Sequence, residues 1–81
     1  MVLPRAKQGD VQSQFNLGKM YQQGLGVSKD LQKAAKWYRL AAEQYHTEAQ
    51  FNLGGMYYQS LNFPRNYQKA VKWYRLAAKQ G

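Results

Sequence analysis

Lys36-Trp37-Tyr38-Arg39-Leu40-Ala41-Ala42 occurs a second time, residue for residue, as Lys72-Trp73-Tyr74-Arg75-Leu76-Ala77-Ala78. Working outward from that pair, Phe15-Asn16-Leu17-Gly18 lies over Phe51-Asn52-Leu53-Gly54 at the same offset, and residues 10–45 match residues 46–81 at 20 of 36 positions. Tandem units of roughly 30–40 residues cannot bury an apolar face alone and stack into solenoids, which present extended binding surfaces and seldom enclose a catalytic pocket.

Within each unit the apolar period is helical. Ser13, Leu17, Met20 and Tyr21 recur at helical spacing after Asp10, a capping residue, and Gly24-Leu25-Gly26 breaks the pattern. Asp30 opens a second run in which Leu31, Ala34, Ala35, Tyr38, Ala41 and Ala42 share one face. The second unit repeats both runs with Ala49, Leu53, Met56 and Tyr57, then Asn66 as cap, then Tyr67, Ala70, Val71, Tyr74, Ala77 and Ala78. Each unit therefore reads as helix A, turn, helix B. Gly18 and Gly54 stand inside helix A, where glycine costs about 1 kcal/mol against alanine. Close approach of helix B compensates, with Trp37 or Tyr38 expected over the glycine. The expected fold is all-α, an αα-hairpin solenoid coiling as a right-handed superhelix. Residues 1–9 form the tail of a preceding repeat, and residues 10–45 and 46–81 form two full repeats.

The string Leu17-Gly18-x-Met20-Tyr21-x-x-Gly24-x-Gly26-Val27-x-x-Asp30-x-x-Lys33-Ala34-x-x-Trp37-Tyr38-x-x-Ala41-Ala42 resembles the Sel-one-like repeat (SLR), a longer relative of the tetratricopeptide repeat. Arg5-Ala6-Lys7-Gln8-Gly9 aligns with Ala77-Ala78-Lys79-Gln80-Gly81 and so resembles the end of a preceding unit. The second unit departs from the pattern in its turn, where Ser60, Asn62, Phe63 and Pro64 replace Gly24, Gly26, Val27 and Ser28. That turn is expected to differ from the first, and Gly54-Gly55 is expected to weaken its helix A. The resemblance implies a module that receives a protein or peptide on the concave face lined by the A helices.

On that face Gln12, Asn16, Lys19 and Gln23 form one stripe, answered in the second unit by Glu48, Asn52, Gly55 and Gln59. Carboxamides both donate and accept, so Asn16 and Asn52 suit the backbone of an extended peptide, and Lys19 suits a carboxylate. Against this stands the plainer reading of ordinary solvated amides. A second surface is basic. The chain carries 12 Lys+Arg against 4 Asp+Glu, a formal net charge of +8. Lys29, Lys33, Lys36 and Arg39 on the first helix B, with Lys69, Lys72, Arg75 and Lys79 on the second, form a ridge almost without acidic neighbours. An acidic protein partner, nucleic acid or an anionic lipid surface would each answer such a ridge; a solvated outer face that keeps a small protein soluble is the plainer account. Trp37, Tyr38, Trp73 and Tyr74 recur at packing positions, which argues against base-stacking and so against nucleic acid.

Catalytic chemistry finds no support. One histidine, no cysteine and four carboxylates cannot assemble a convergent acid–base or nucleophilic set. Asp10 and Asp30 are expected as caps, and so is His46, which holds the position of Asp10; no cofactor or metal is expected, since zinc takes three or four protein ligands. Met1-Val2-Leu3-Pro4-Arg5 lacks the apolar core of a signal peptide, and no run approaches the roughly 20 apolar residues of a membrane span. Terminal repeats normally carry a polar outer face, and neither end does here. The chain is accordingly expected either to be cut from a longer solenoid or to self-associate by stacking end to end.

Overall fold

The computed structural model describes residues 9–59 and 64–80. They form four helices: α1 (Val11–Gln23), α2 (Leu31–Ala42), α3 (Thr47–Gln59) and α4 (Tyr67–Gln80). A side chain starts each one. Asp10 accepts the Ser13 amide at 2.8 Å, Asp30 the Lys33 amide at 3.0 Å and Asn66 the Lys69 amide at 3.0 Å. At α3 the cap is His46, whose Nδ1 accepts the Ala49 amide at 3.1 Å; the ring proton therefore belongs on Nε2, which faces Gln12 Oε1 at 3.4 Å. Each cap satisfies one of the N–H groups that a helix start leaves without a partner.

α1 ends at Gly24 (φ 71°), and the Leu25 amide returns to Met20 O at 2.9 Å. The second A-to-B turn contains Ser60, Asn62 and Phe63, which lie outside the described residues. Its far end nonetheless repeats the first: Asn66 N–H bonds Tyr57 O at 2.9 Å, as Asp30 N–H bonds Tyr21 O at 2.9 Å. Gly54 and Gly55 leave α3 continuous to Gln59.

The join between the two units turns at Tyr45, which adopts φ 67° where the equivalent residues are Gly9 (φ 90°) and Gly81. A left-handed conformation costs a side-chain-bearing residue roughly 1–2 kcal/mol, and glycine almost nothing. The ring, 73% exposed, returns little packing. Tyr45→Gly is expected to raise stability by about 0.5–1 kcal/mol, read as a later urea midpoint; an earlier one would show that the ring contributes where it is exposed.

α1 packs on α2, α3 on α4, and α2 meets α3 across the junction. The residue over Gly18 is Tyr38: a Cβ on Gly18 would stand 2.6 Å from Tyr38 Cδ1. Trp37, the other candidate, is only half-buried. Tyr38 is fully buried, its hydroxyl donates to Gln22 Oε1 at 2.5 Å, and the Asn52 side chain shares that oxygen. Burial pushes the phenol up to about 12, against a smaller opposing effect of Asn52. The folded state thus holds this proton more tightly than the unfolded chain. The stabilisation is complete below the ordinary phenol range near 10 and is lost as pH rises through about 12. Stability measured by denaturant is expected to fall from pH 10 to 12 more steeply in the native chain than in Tyr38→Phe; equal slopes would contradict it. In the second unit Trp73 is buried and Tyr74 is half-buried, so only two of the four recurring aromatics are fully interior.

Glutamines stitch the units together. Gln50 is buried and its Nε2 donates to Ala42 O at 3.1 Å, closing the C-terminal end of α2. Gln14, its counterpart, accepts from Gln44 Nε2 at 2.7 Å. Gln80, the counterpart of Gln44, turns instead to Tyr45 O at 2.6 Å and Thr47 Oγ1 at 2.8 Å, and Gln50 Oε1 is buried with no hydrogen-bond partner among the described residues.

Candidate functional site

The helical period puts Gln12, Asn16, Lys19 and Gln23 on one exposed edge of α1. Gln12 Nε2 donates to Asn16 Oδ1 at 3.1 Å, and Lys19 Nζ stands 5.5 Å from the Phe15 ring centre. On α3, Glu48 is exposed and Asn52 and Gly55 are half-buried. Gln59 is the last residue of α3; its side chain lies outside the described residues. The two asparagines are not equivalent. Asn16 bonds within its own helix, whereas Asn52 reaches across the junction to the Tyr38 hydroxyl.

Glu48 and Asn52 also border an open groove of about 740 Å³, which they share with Thr47, Phe51, Tyr74, Ala77 and Ala78. Its apolar character has a direct cause in the repeat. Phe15, Tyr38 and Ala42 are buried in the cluster that α3 joins, whereas their counterparts Phe51, Tyr74 and Ala78 are exposed or half-buried, α4 being the last helix among the described residues; Ala77 stays buried. Phe15 is 4% exposed and Phe51 60%. Phe51 rests on Tyr74 with ring centres 5.4 Å apart. The groove is therefore an open, largely apolar surface with two polar residues of the α3 stripe at its border.

All eight residues of the basic ridge are exposed. Aromatic faces relieve part of their repulsion, which the charge count alone does not reveal. Lys33 lies 5.5 Å from the Tyr21 ring, Lys36 5.9 Å from Trp37, Lys69 5.3 Å from Tyr57 and Lys72 5.0 Å from Trp73. The structure gathers three of the eight: Arg39, Lys69 and Lys72 share a hollow of about 170 Å³ with Glu43, Tyr57 and Trp73. Lys29 borders a separate depression with Asp30, Leu31 and Gln32; Arg75 and Lys79 line neither. Among the described residues no three His, Asp or Glu side chains gather as metal ligands, and no helix is long and apolar enough to cross a membrane.

The Sel1 repeat family model matches residues 11–46 and again residues 47–81, opening each time at the first residue of an A helix. The chain belongs to the Sel1 repeat family. This Sel1 repeat chain is 49% identical over 39 residues to the putative sel1-like repeat-containing protein L18 of Acanthamoeba polyphaga mimivirus, covering 48% of the chain and 7% of that protein. It is 48% identical over 44 residues to L21 of the same virus, covering 54% of the chain and 8% of that protein. Among solved structures, a Sel1 repeat protein from Oxalobacter formigenes superposes with TM-score 0.92 at 44% identity, over 99% of this chain and 33% of that one. The SLR-fold c5321, a protective antigen present in uropathogenic Escherichia coli strains, superposes with TM-score 0.87 at 37% identity, over 93% of this chain and 16% of its own. Its Sel1 repeats thus make the chain an all-α helical-hairpin solenoid, spanning a small part of each of these relatives. Sel1 repeats are in general protein–protein interaction modules and typically non-catalytic scaffolds.

The repeat spacing places Gln12, Asn16, Lys19 and Gln23 along one edge of α1. Phe51 and Tyr74 were not singled out as site residues, although their signal was present: the counterparts Phe15 and Tyr38 need a following unit to cover them.

Proposed function

We propose that this Sel1 repeat chain is a non-catalytic adaptor that holds a protein partner along the face of α1 and α3. The partner's anchor is an amphipathic helix seated on Phe51, Tyr74 and Ala78. Gln12, Asn16, Lys19 and Glu48 supply polar contacts beside it, and Asn52 fixes the rim through Tyr38. The observation that carries this reading is the exposed Phe51 in a groove whose equivalent, one unit earlier, is filled by α3. What a helix does there is visible within the molecule: Ala49, Leu53 and Met56 of α3 join the same buried cluster as Tyr38, Ala41 and Ala42.

Affinity capture with three baits tests it: the native chain, Phe51→Ser combined with Asn16→Ala, and a charge-reversed ridge carrying Lys33→Glu, Lys36→Glu, Lys69→Glu and Lys72→Glu. Circular dichroism first verifies that each bait is folded. A protein lost only from the Phe51→Ser bait supports the adaptor, provided its binding weakens by less than about tenfold between low and moderate salt. Nucleic acid or lipid lost only from the charge-reversed bait, with affinity falling by orders of magnitude over the same salt range, moves the function to the ridge. A second copy as the only occupant, seen as a concentration-dependent mass in light scattering, makes the groove a self-association surface.

A further inference from the structure

Arg39 is the last basic residue of α2, and Lys69 and Lys72 stand one turn apart on α4. The junction between units brings all three to one hollow of about 170 Å³. Two features set this hollow apart from the rest of the ridge. Its lysines are braced, each within about 5 Å of a buried ring (Lys69 at 5.3 Å from Tyr57, Lys72 at 5.0 Å from Trp73), so less side-chain freedom is lost when they meet a ligand. Its charge is also unbalanced: three cations face the single carboxylate Glu43, formally 3 − 1 = +2, and no ion pair engages Arg39, Lys69 or Lys72 among the described residues.

We infer that this junction hollow binds a phosphate-monoester dianion. The volume equals that of about five or six waters at about 30 Å³ each, room for one phosphate group and part of its hydration. A monoester carries a charge of about −2 near neutral pH on three terminal oxygens. Arg39 offers a planar fork for two of these oxygens, and the lysines offer compact charges for the third. The dianion matches the formal surplus of the hollow, whereas a phosphodiester or a single carboxylate carries half that charge.

The repeat supplies an internal control. Lys33, Lys36, Tyr21 and Trp37 are the first-unit counterparts of Lys69, Lys72, Tyr57 and Trp73, but the residue preceding Arg39 by one repeat is Leu3. Both lysine and ring pairs are present, but only the second has an arginine in the unit before it; Arg75, the counterpart of Arg39, follows both pairs.

The test is a nuclear magnetic resonance titration of the nitrogen-15-labelled 81-residue chain at fixed ionic strength with inorganic phosphate, a short phosphoserine peptide and succinate. Saturable shifts are expected at the amides of Arg39, Glu43, Lys69 and Lys72 and at the Trp73 indole. Arg39→Gln, at an exposed position, is expected to weaken phosphate binding by roughly tenfold or more, the worth of one charge-assisted hydrogen bond. Lys36→Gln is expected to leave it unchanged. A phosphopeptide binding more tightly than phosphate identifies a phosphorylated side chain as the source, and equal binding identifies the phosphate group alone; both support the site. Shifts that never saturate, equal losses in Arg39→Gln and Lys36→Gln, or succinate binding as tightly as phosphate would overturn it.

Discussion

Leu53→Ala is expected to cost about 2–5 kcal/mol and to bring the chain close to unfolding at room temperature. A domain of 81 residues holds only roughly 4–12 kcal/mol in total. Leu53 is fully buried on α3, the helix that serves both units: it pairs with α4 in its own hairpin and covers α2 in the preceding one. Truncation removes three side-chain carbons with their apolar transfer energy and leaves a cavity between helices that cannot collapse without parting the units. The loss should appear in urea melts as an earlier midpoint with a broadened transition, since the junction couples two repeats that each bury too little alone. Leu17→Ala, in the buried counterpart position on α1, should destabilise by a similar amount while leaving the α2–α3 contact intact. A Leu53→Ala chain that melts as sharply and as late as the native one would place the stabilising core elsewhere.

Gly18→Ala should be the second most damaging change, although alanine is the better helix former by about 1 kcal/mol. The added Cβ would meet Tyr38 Cδ1 at 2.6 Å, Cε1 at 2.7 Å and Cγ at 3.1 Å. Tyr38 cannot retreat, being fully buried and bonded through its hydroxyl to Gln22. Overpacking of this kind costs about 1–3 kcal/mol and sometimes more; with so rigid a neighbour the upper part of that range applies, and it exceeds the propensity gain. Gly54→Ala is the matched control. There the nearest atoms are Tyr74 Cδ1 at 3.0 Å and Cε1 at 3.1 Å, with Ala70 O at 3.3 Å, and Tyr74 is half-buried at the edge of the groove and free to shift. Its net effect should lie within about 1 kcal/mol of zero. Equal destabilisation by the two substitutions, measured in parallel urea melts, would contradict the packing described around Tyr38.

These two positions show what the sequence discloses and what it withholds. The offset identity, the helical period and the caps at Asp10, Asp30, His46 and Asn66 are local or periodic signals, and the helices and their order follow from them. Glycine inside helix A signals a close approach, but whether Trp37 or Tyr38 makes it depends on the rotation of helix B, a tertiary quantity. The same limit hid the unequal fates of Asn16 and Asn52, which share a repeat position but not a neighbour. On the basic face, residue types gave a ridge of eight charges, whereas only the junction geometry selects Arg39, Lys69 and Lys72. The groove lies between these extremes. Phe51, Tyr74 and Ala78 are the second copy of a buried set, so the repeat already contains the information, and they are exposed or half-buried where α4 is the last described helix.

In the proposed adaptor, the face ending at Phe51 receives a protein partner. Phe51 is exposed enough for serine to replace it without loss of the core, so binding can be separated from folding. The decisive measurement is the affinity of a captured partner for native and Phe51→Ser chains of equal helicity, by calorimetry. A loss of about thirtyfold or more, as expected for a hot-spot aromatic worth upwards of about 2 kcal/mol, is the predicted result. Equal affinity for the two chains, with binding abolished in the charge-reversed ridge, would contradict it.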